Sequence, residues 1–309
     1  MTNSTGAQHE ADYIAEVTFG TTPATPTMTP IRHNSMSLAL TKDSLQSDEV
    51  RADRQIADFR HGNIQVGGDI SAELSYGAFD ELLEAALGGT WDVGVPIAGT
   101  DQLKVGETLT SFTIRRHFSD INAYEVFTGV RFSGLSLSVQ PNQISTLTLS
   151  CMGKDKSTTS PAGATRSAVS TNTPFSGHEA GTIKEGGITY AGITGLELSL
   201  SNGLDNAFEL GSTTTGDHII GRSNVTGTVT AYFASATLLN KFINETESSL
   251  EYTMTDVDGN TLRFVIPRLK YTGGQPDVSG EGAITLSMPF QALYDTTTST
   301  NFYIERNPA

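Results

Sequence analysis

Apolar and polar residues alternate with a period of two through most of the chain, which predicts β-strands. In 64–76, Ile64, Val66, Ile70, Ala72, Leu74 and Tyr76 fall on one face, and Gln65, Asp69, Ser71, Glu73 and Ser75 on the other. At ~3.3 Å per residue such a strand spans roughly 43 Å, about twice an ordinary one. Leu147, Leu149 and Cys151 alternate in the same way with Thr146, Thr148 and Ser150. In GVRFSGLSLSV the apolar parity moves from Val130 and Phe132 to Leu135, Leu137 and Val139. A change of parity at Ser133-Gly134 predicts a β-bulge.

Helical spacing is confined to two short segments. FDELLEAAL (79–87) has acidic residues in its first turn and Gly88-Gly89 to stop it. SATLLNKFIN (235–244) is the second, with Ser235 as its expected N-cap.

The order of these segments repeats. MSLALTKD (36–43) corresponds to LELSLSNG (196–203), and each precedes a polar stretch of nearly twenty residues. GGDISAEL (67–74) and TGTVTAYF (226–233) follow, each running into a helix that carries a Leu-Leu pair. FTGVRF (127–132) matches FVIPRL (264–269), and TLTLS (146–150) matches AITLS (283–287), both at an offset of 137. The colinear set reads as a duplicated β domain. Between 156 and 177, 17 of 22 residues are Gly, Ala, Ser, Thr or Pro, which marks a linker or a solvated excursion. The expected organisation is a first β domain with an N-terminal arm over 1–153, the linker or excursion over 154–181, and a second β domain with a C-terminal arm over 182–309.

Composition narrows the function classes. The 309 residues carry a formal charge of −15, with a sequence pI near 4.7. An acidic surface repels phosphate, which argues against sequence-specific nucleic-acid binding. The single cysteine, Cys151, excludes a disulfide framework and a multi-cysteine metal site. No apolar run approaches the ~18 residues of a membrane span, and MTNSTGAQHE has neither the basic nor the apolar region of a signal peptide.

Catalytic and metal chemistry find little support. His9, His33, His61, His117, His178 and His218 include no helical i, i+4 pair and none adjoins the cysteine. DVDGN (256–260) resembles the start of a calcium loop, but its glycine comes too early and no glutamate follows at the right distance, so a hairpin turn is expected. GGTWDVGV (88–95) and GGQPDVSGEG (273–282) do not join a strand to a helix start as phosphate binding requires. No GxSxG elbow occurs, and Asp80, Glu81 and Glu84 read as a solvated helical face. No cofactor is expected, and an enzyme is the weakest reading.

The segment 44–62 is unusual in its mixed charge: Asp48, Glu49, Arg51, Asp53, Arg54, Asp58 and Arg60. Alone it fits either a charged helix capped by Gly62 or a long loop. Its counterpart 204–222 contains Gly211 and Gly216 around a threonine run and cannot be helical. As a pair they are expected to be long loops projecting from the same edge of each domain, where mixed charge suits partner contact.

VTFGTTPATPTMTPIRHNSMSLALTKDSLQSDEVRADRQIADFRHGN (17–63), followed by GGDISAELSYGAFDELLEAALGGTW (68–91), resembles the tail tube proteins of long-tailed bacteriophages. The similarity is strongest over 13–153 and continues through TIKEGGITYAGITGLELSLSNGLDNAFELG (182–211) to the end. The resemblance implies a mainly β fold of two tandem tail-tube-type β-sandwich or barrel domains, each with one short flanking α-helix. It implies a structural virion protein, the major tail tube subunit of a siphovirus-like phage, assembled in the host cytoplasm. Its rings would stack into the hollow tail through which genome DNA is ejected. Two domains per chain then imply three chains in a pseudo-hexameric ring. The implied partners are further copies of the chain, the tape measure protein, the tail terminator and distal tail or baseplate proteins, with DNA passing through unbound. The inner tube of a contractile tail, or a related secretion tube, is the nearest alternative. A secreted or surface β-sandwich binding module is the alternative from another class.

In that setting 44–62 and 204–222 hold the positions of the loop that reaches the adjacent ring. The expected inter-ring contacts are Asp48, Glu49, Arg51, Arg54, Asp58, Arg60, Asp205, Glu209, Asp217 and His218. Asp69 and Glu73, on the polar face of 64–76, are the candidates to line the lumen; the tube exterior is the alternative for that face.

Overall fold

The computed structural model describes residues 3–178, 180–278 and 280–309. Met1 and Thr2 of the expected N-terminal arm, Glu179 of the 154–181 segment and Ser279 of the 273–282 segment lie outside them. The described chain is mainly β with two short α-helices. In order these are β1 (His9–Ala15), β2 (Thr27–Pro30), β3 (Ser35–Met36), β4 (Ala39–Gln46), β5 (Phe59–Glu73), α1 (Asp80–Leu87), β6 (Trp91–Asp92), β7 (Asp101–Lys104), β8 (Phe112–Phe118), β9 (Ala123–Val139), β10 (Thr146–Gly153), β11 (Asp155–Ser157) and β12 (Thr165–Arg166). They continue with β13 (Ala180–Glu185), β14 (Ile188–Thr189), β15 (Ile193–Ser201), β16 (Asp205–Ala207), β17 (Asp217–Ile219), β18 (Asn224–Tyr232), α2 (Thr237–Ile243), β19 (Ser248–Thr255), β20 (Thr261–Tyr271), β21 (Gln275–Asp277), β22 (Thr285–Ala292) and β23 (Tyr303–Asn307).

One antiparallel sheet organises the molecule. Its strands lie side by side as β4–β5–β10–β9 and then, without a break, β15–β18–β22, ending on β20 and β21. Alternation puts Val66, Ile70, Leu137, Leu149, Leu198, Val229 and Met288 on one face, where all are buried, and Ser, Thr, Asp and Glu on the other. The apolar face packs on α1 through Leu82, Leu83 and Leu87 and on a second layer of strands. In the N-terminal part that layer is β2–β1–β8 and the first half of β9, which runs through both layers. In the C-terminal part it is β13–β19–β20–β23, and β23 pairs on to β7 of the N-terminal part.

The pairings of the first two strands match between the two parts. Met36 lies opposite Ile70 and Leu40 opposite Val66, just as Leu196 lies opposite Val229 and Leu200 opposite Val225. The third strand corrects the sequence offset. Thr146 stands opposite Glu73, and the residue in that place opposite Tyr232 is Thr285, 139 residues on rather than 137. The fourth strand moves with it, Arg131 facing Met152 where Lys270 faces Gln291. Thr and Leu alternate here, so a slip of two leaves every side chain on its own face.

The expected bulge is present, with the register slipping between Phe132 and Gly134 opposite Cys151 and Ser150. DVDGN is a turn between β19 and β20, in which the Asp256 carboxylate accepts the Asp258 and Asn260 N–H groups. α1 stops at Gly88 in the left-handed region (φ 66°), as its sequence predicts. α2 differs at its start: Ala236 is the N-cap, while the Ser235 hydroxyl bonds the Thr237 side chain. In the 154–181 segment Thr165 and Arg166 pair with Thr27 and Met28 and Phe175 is fully buried, while 157–159 and 167–169 are exposed.

Candidate assembly and lumen surfaces

The polar face of the main sheet is concave. Thr148, Ser138, Glu197, Thr228 and Gln291, from five neighbouring strands, line one trough of about 500 Å3. The sheet is twisted and curls towards its Ser/Thr side. Asp69 and Glu73 both lie on this face. Asp69 accepts the Ser150 hydroxyl at 2.7 Å, and Glu73 accepts the Asn34 amide at 3.4 Å. Asp43, bonded to Gln65, and the exposed Glu197 share the face, which also carries Lys270 opposite Gln291.

Residues 47–58 connect β4 to β5 and contain neither helix nor strand; the charged-helix reading of 44–62 does not hold. The two strands extend into this arm instead, so β5 covers 59–73 rather than 64–76. Asp48, Glu49, Arg51, Arg54, Asp58 and Arg60 are all exposed. Arg51 pairs with Asp53 and Arg60 with Asp58, each at 2.8 Å. Exposed pairs of this kind add little stability. The side-chain bond from Arg51 holds the Asp53 carboxyl below the usual range. Val50, Ile56 and Phe59 are also solvent-facing, and none of the described residues covers the arm.

The counterpart 204–222 behaves differently, and here the expectation of a freely projecting loop is corrected. Its β16–β17 hairpin folds back on the N-terminal part of the same chain, where the Thr213 carbonyl accepts the Ile64 N–H at 2.7 Å. Asp217 is ion-paired to Arg131 at 2.6 Å. Burial pushes the Asp217 carboxyl up, but the His218 N–H and Arg131 outweigh it and leave the carboxyl below its usual range. His218 is only 2 % exposed and packed edge-on to Phe19. Burial, aided by Arg131, lowers its pKa to about 4. The His218 side chain is therefore packed inside the chain. Asp205 and Glu209 remain exposed. A local sequence pattern could not show this burial, which depends on Phe19 and Arg131 far along the chain.

Among the described residues, two edges of the main sheet are open: the outer edge of β4 has no neighbour, and neither has the outer edge of 273–278, the continuation of β20 through β21. Sequence reasoning identified neither edge residue by residue.

The described residues hold no group of three or more His, Cys, Asp or Glu able to bind a metal, and no helix long and apolar enough to cross a membrane. A family model described as phage tail tube protein matches residues 6–292. No curated protein matches the chain.

Proposed function

The chain belongs to the phage tail tube protein family, and we propose that it is the major tail tube subunit, forming rings that stack into the conduit for genome DNA. Membership of the family makes it a structural component of the virion tail that assembles with its own copies into a tube. The finer reading rests on one observation above all: β9 and β15 join the two parts of the chain edge to edge, so that one sheet crosses both with its polar face concave.

Repeating that join around an axis closes a barrel and leaves no strand edge exposed. Each chain contributes eight strands, counting β20 with β21 as one, and we read it as two tandem tube domains, so three chains complete the ring. At ~4.8 Å between strands and a tilt of ~40°, 24 strands enclose roughly 50 Å between backbones, enough for a DNA duplex with the lining side chains in place. Asp43, Asp69, Glu73 and Glu197 then face the lumen, where a diffuse negative field keeps DNA from sticking. The arm 47–58, with its uncovered apolar residues, reaches the adjacent ring. The tape measure, terminator and distal tail proteins are the partners at the ends and inside.

Electron microscopy of the purified chain tests the reading. Rings or tubes are expected; monodisperse globules at every concentration and ionic strength tried would contradict it.

A further inference from the structure

We infer that the ring closes through one strand pairing of defined register between neighbouring copies: Met36–Thr41 of one chain lies antiparallel to Gly273–Val278 of the next, with Leu38 opposite Pro276. The inference rests on the ring reading above and adds to it the partner strands and their register.

The pairings within the chain establish the equivalences. Residues 36–41 stand to β5 as 196–201 stand to β18. Residues 134–139 stand to β10 as 273–278 stand to β22, with Ser138 opposite Thr146 and Asp277 opposite Thr285. The seam between β9 and β15 pairs Val139 with Leu196, Leu137 with Leu198 and Leu135 with Leu200. Carried over by these equivalences, the seam between chains pairs Val278 with Met36, Pro276 with Leu38, Gln275 with Ala39 and Gly274 with Leu40.

Hydrogen-bond direction supports this register independently. At the internal seam the Asn202 N–H donates to the Ser133 carbonyl, so alternate residues from Ser133 through Leu137 turn their backbone groups towards β15. The equivalent of Leu137 is Pro276, which has no N–H to offer. On the facing edge the Ser37 N–H donates to Asp69, which turns the Leu38 backbone outward by alternation. The Leu38 carbonyl already accepts a bond from Arg116 Nη1 at 3.0 Å. The one bond that Pro276 cannot make is thus the one that Leu38 does not need. A proline on an outer edge also blunts pairing in wrong registers. Val278, 68 % exposed in the single chain, gains cover beside Met36.

Cysteine cross-linking tests the register. Ala39 and Gln275 are exposed, and as a non-hydrogen-bonded pair their Cα atoms would lie ~4.5 Å apart, within the ~4.4–6.8 Å range of disulfides. Assembled chains carrying both Ala39→Cys and Gln275→Cys should give, on mild oxidation, reducible dimers and closed trimers. If the double variant does not assemble, chains carrying the single changes are mixed and should give one heterodimer. Cross-linking of Ala39→Cys to Gly273→Cys instead would overturn the register. So would rings seen by microscopy that cross-link at neither position. A wild-type chain that forms no rings would overturn the ring reading itself, an outcome read before any cysteine is introduced.

Discussion

Leu137 and Leu198 stand opposite each other where β9 meets β15, each buried to within a few per cent, on the apolar face of a sheet whose other face is polar. Their pairing makes the join between the two parts of the chain an ordinary β ladder with a continuous core beneath it. A join of this kind can recur between chains without any change of chemistry.

Two glycines make the repeated close approach possible. A Cβ on Gly68 would lie 2.6 Å from the Ser37 carbonyl oxygen, and one on Gly227 would lie 2.3 Å from that of Glu197. Both substitutions to alanine force backbone apart in a packed sheet, and Gly68 also has φ +146°. Each should cost about 2–4 kcal/mol in urea unfolding. Losses below about 1 kcal/mol at both positions would show that the two parts do not share this constraint.

His218 makes stability depend on pH. Its pKa falls from 6.5 to about 4 on folding, so the folded chain keeps it neutral while the unfolded chain takes up a proton first. The stability it allows is complete above about pH 6.5 and is lost progressively as pH falls towards about 4, by on the order of 2 kcal/mol. His218→Phe keeps a ring beside Phe19 and removes the titration. Thermal melts from pH 7 to 4 should therefore fall less steeply for the variant than for the wild type; parallel curves would refute the assignment.

Much of this architecture was legible because a sheet with one wet face writes its pattern into alternate residues, as in Ile70–Glu73 and Thr146–Cys151. The bulge at Ser133 was legible as a change of parity. The start of β5 was not, since Phe59, Arg60 and His61, paired with β4 at the base of the arm, are exposed and show no alternation. The offset of the third strand was misjudged by two because Thr-Leu repeats leave its faces unchanged by such a slip. The exposure of the arm's charges follows from their local composition, but the burial of His218 depends on Phe19, about two hundred residues earlier in the chain.

The arm is the element proposed to join rings along the axis. Replacing 47–58 by a two-residue turn keeps β4 and β5 paired, because the Ser47 N–H to Asp58 carbonyl bond closes the hairpin only at its outer end. Circular dichroism should be unchanged while long tubes disappear and single rings remain. Long tubes assembled from the shortened chain would exclude the arm as the stacking element.

Asp69→Lys with Glu73→Lys tests the lumen. Neither residue is in the core, so folding and tube assembly should persist. Each lysine can pair with a phosphate, which turns a repelling wall into one that drags on DNA. Virions carrying both changes should eject DNA more slowly, most clearly at low ionic strength. Ejection at the wild-type rate would place these side chains away from the DNA path.

The number of chains in a ring separates three tandem-domain chains from six single units. Averaged cross-sections of assembled tubes by electron cryomicroscopy, with the mass of a single ring measured under native conditions, read that number directly. Three chains per ring, threefold symmetric with six similar lobes and 24 lumen strands, is the predicted result; six copies of this chain in one ring would contradict it.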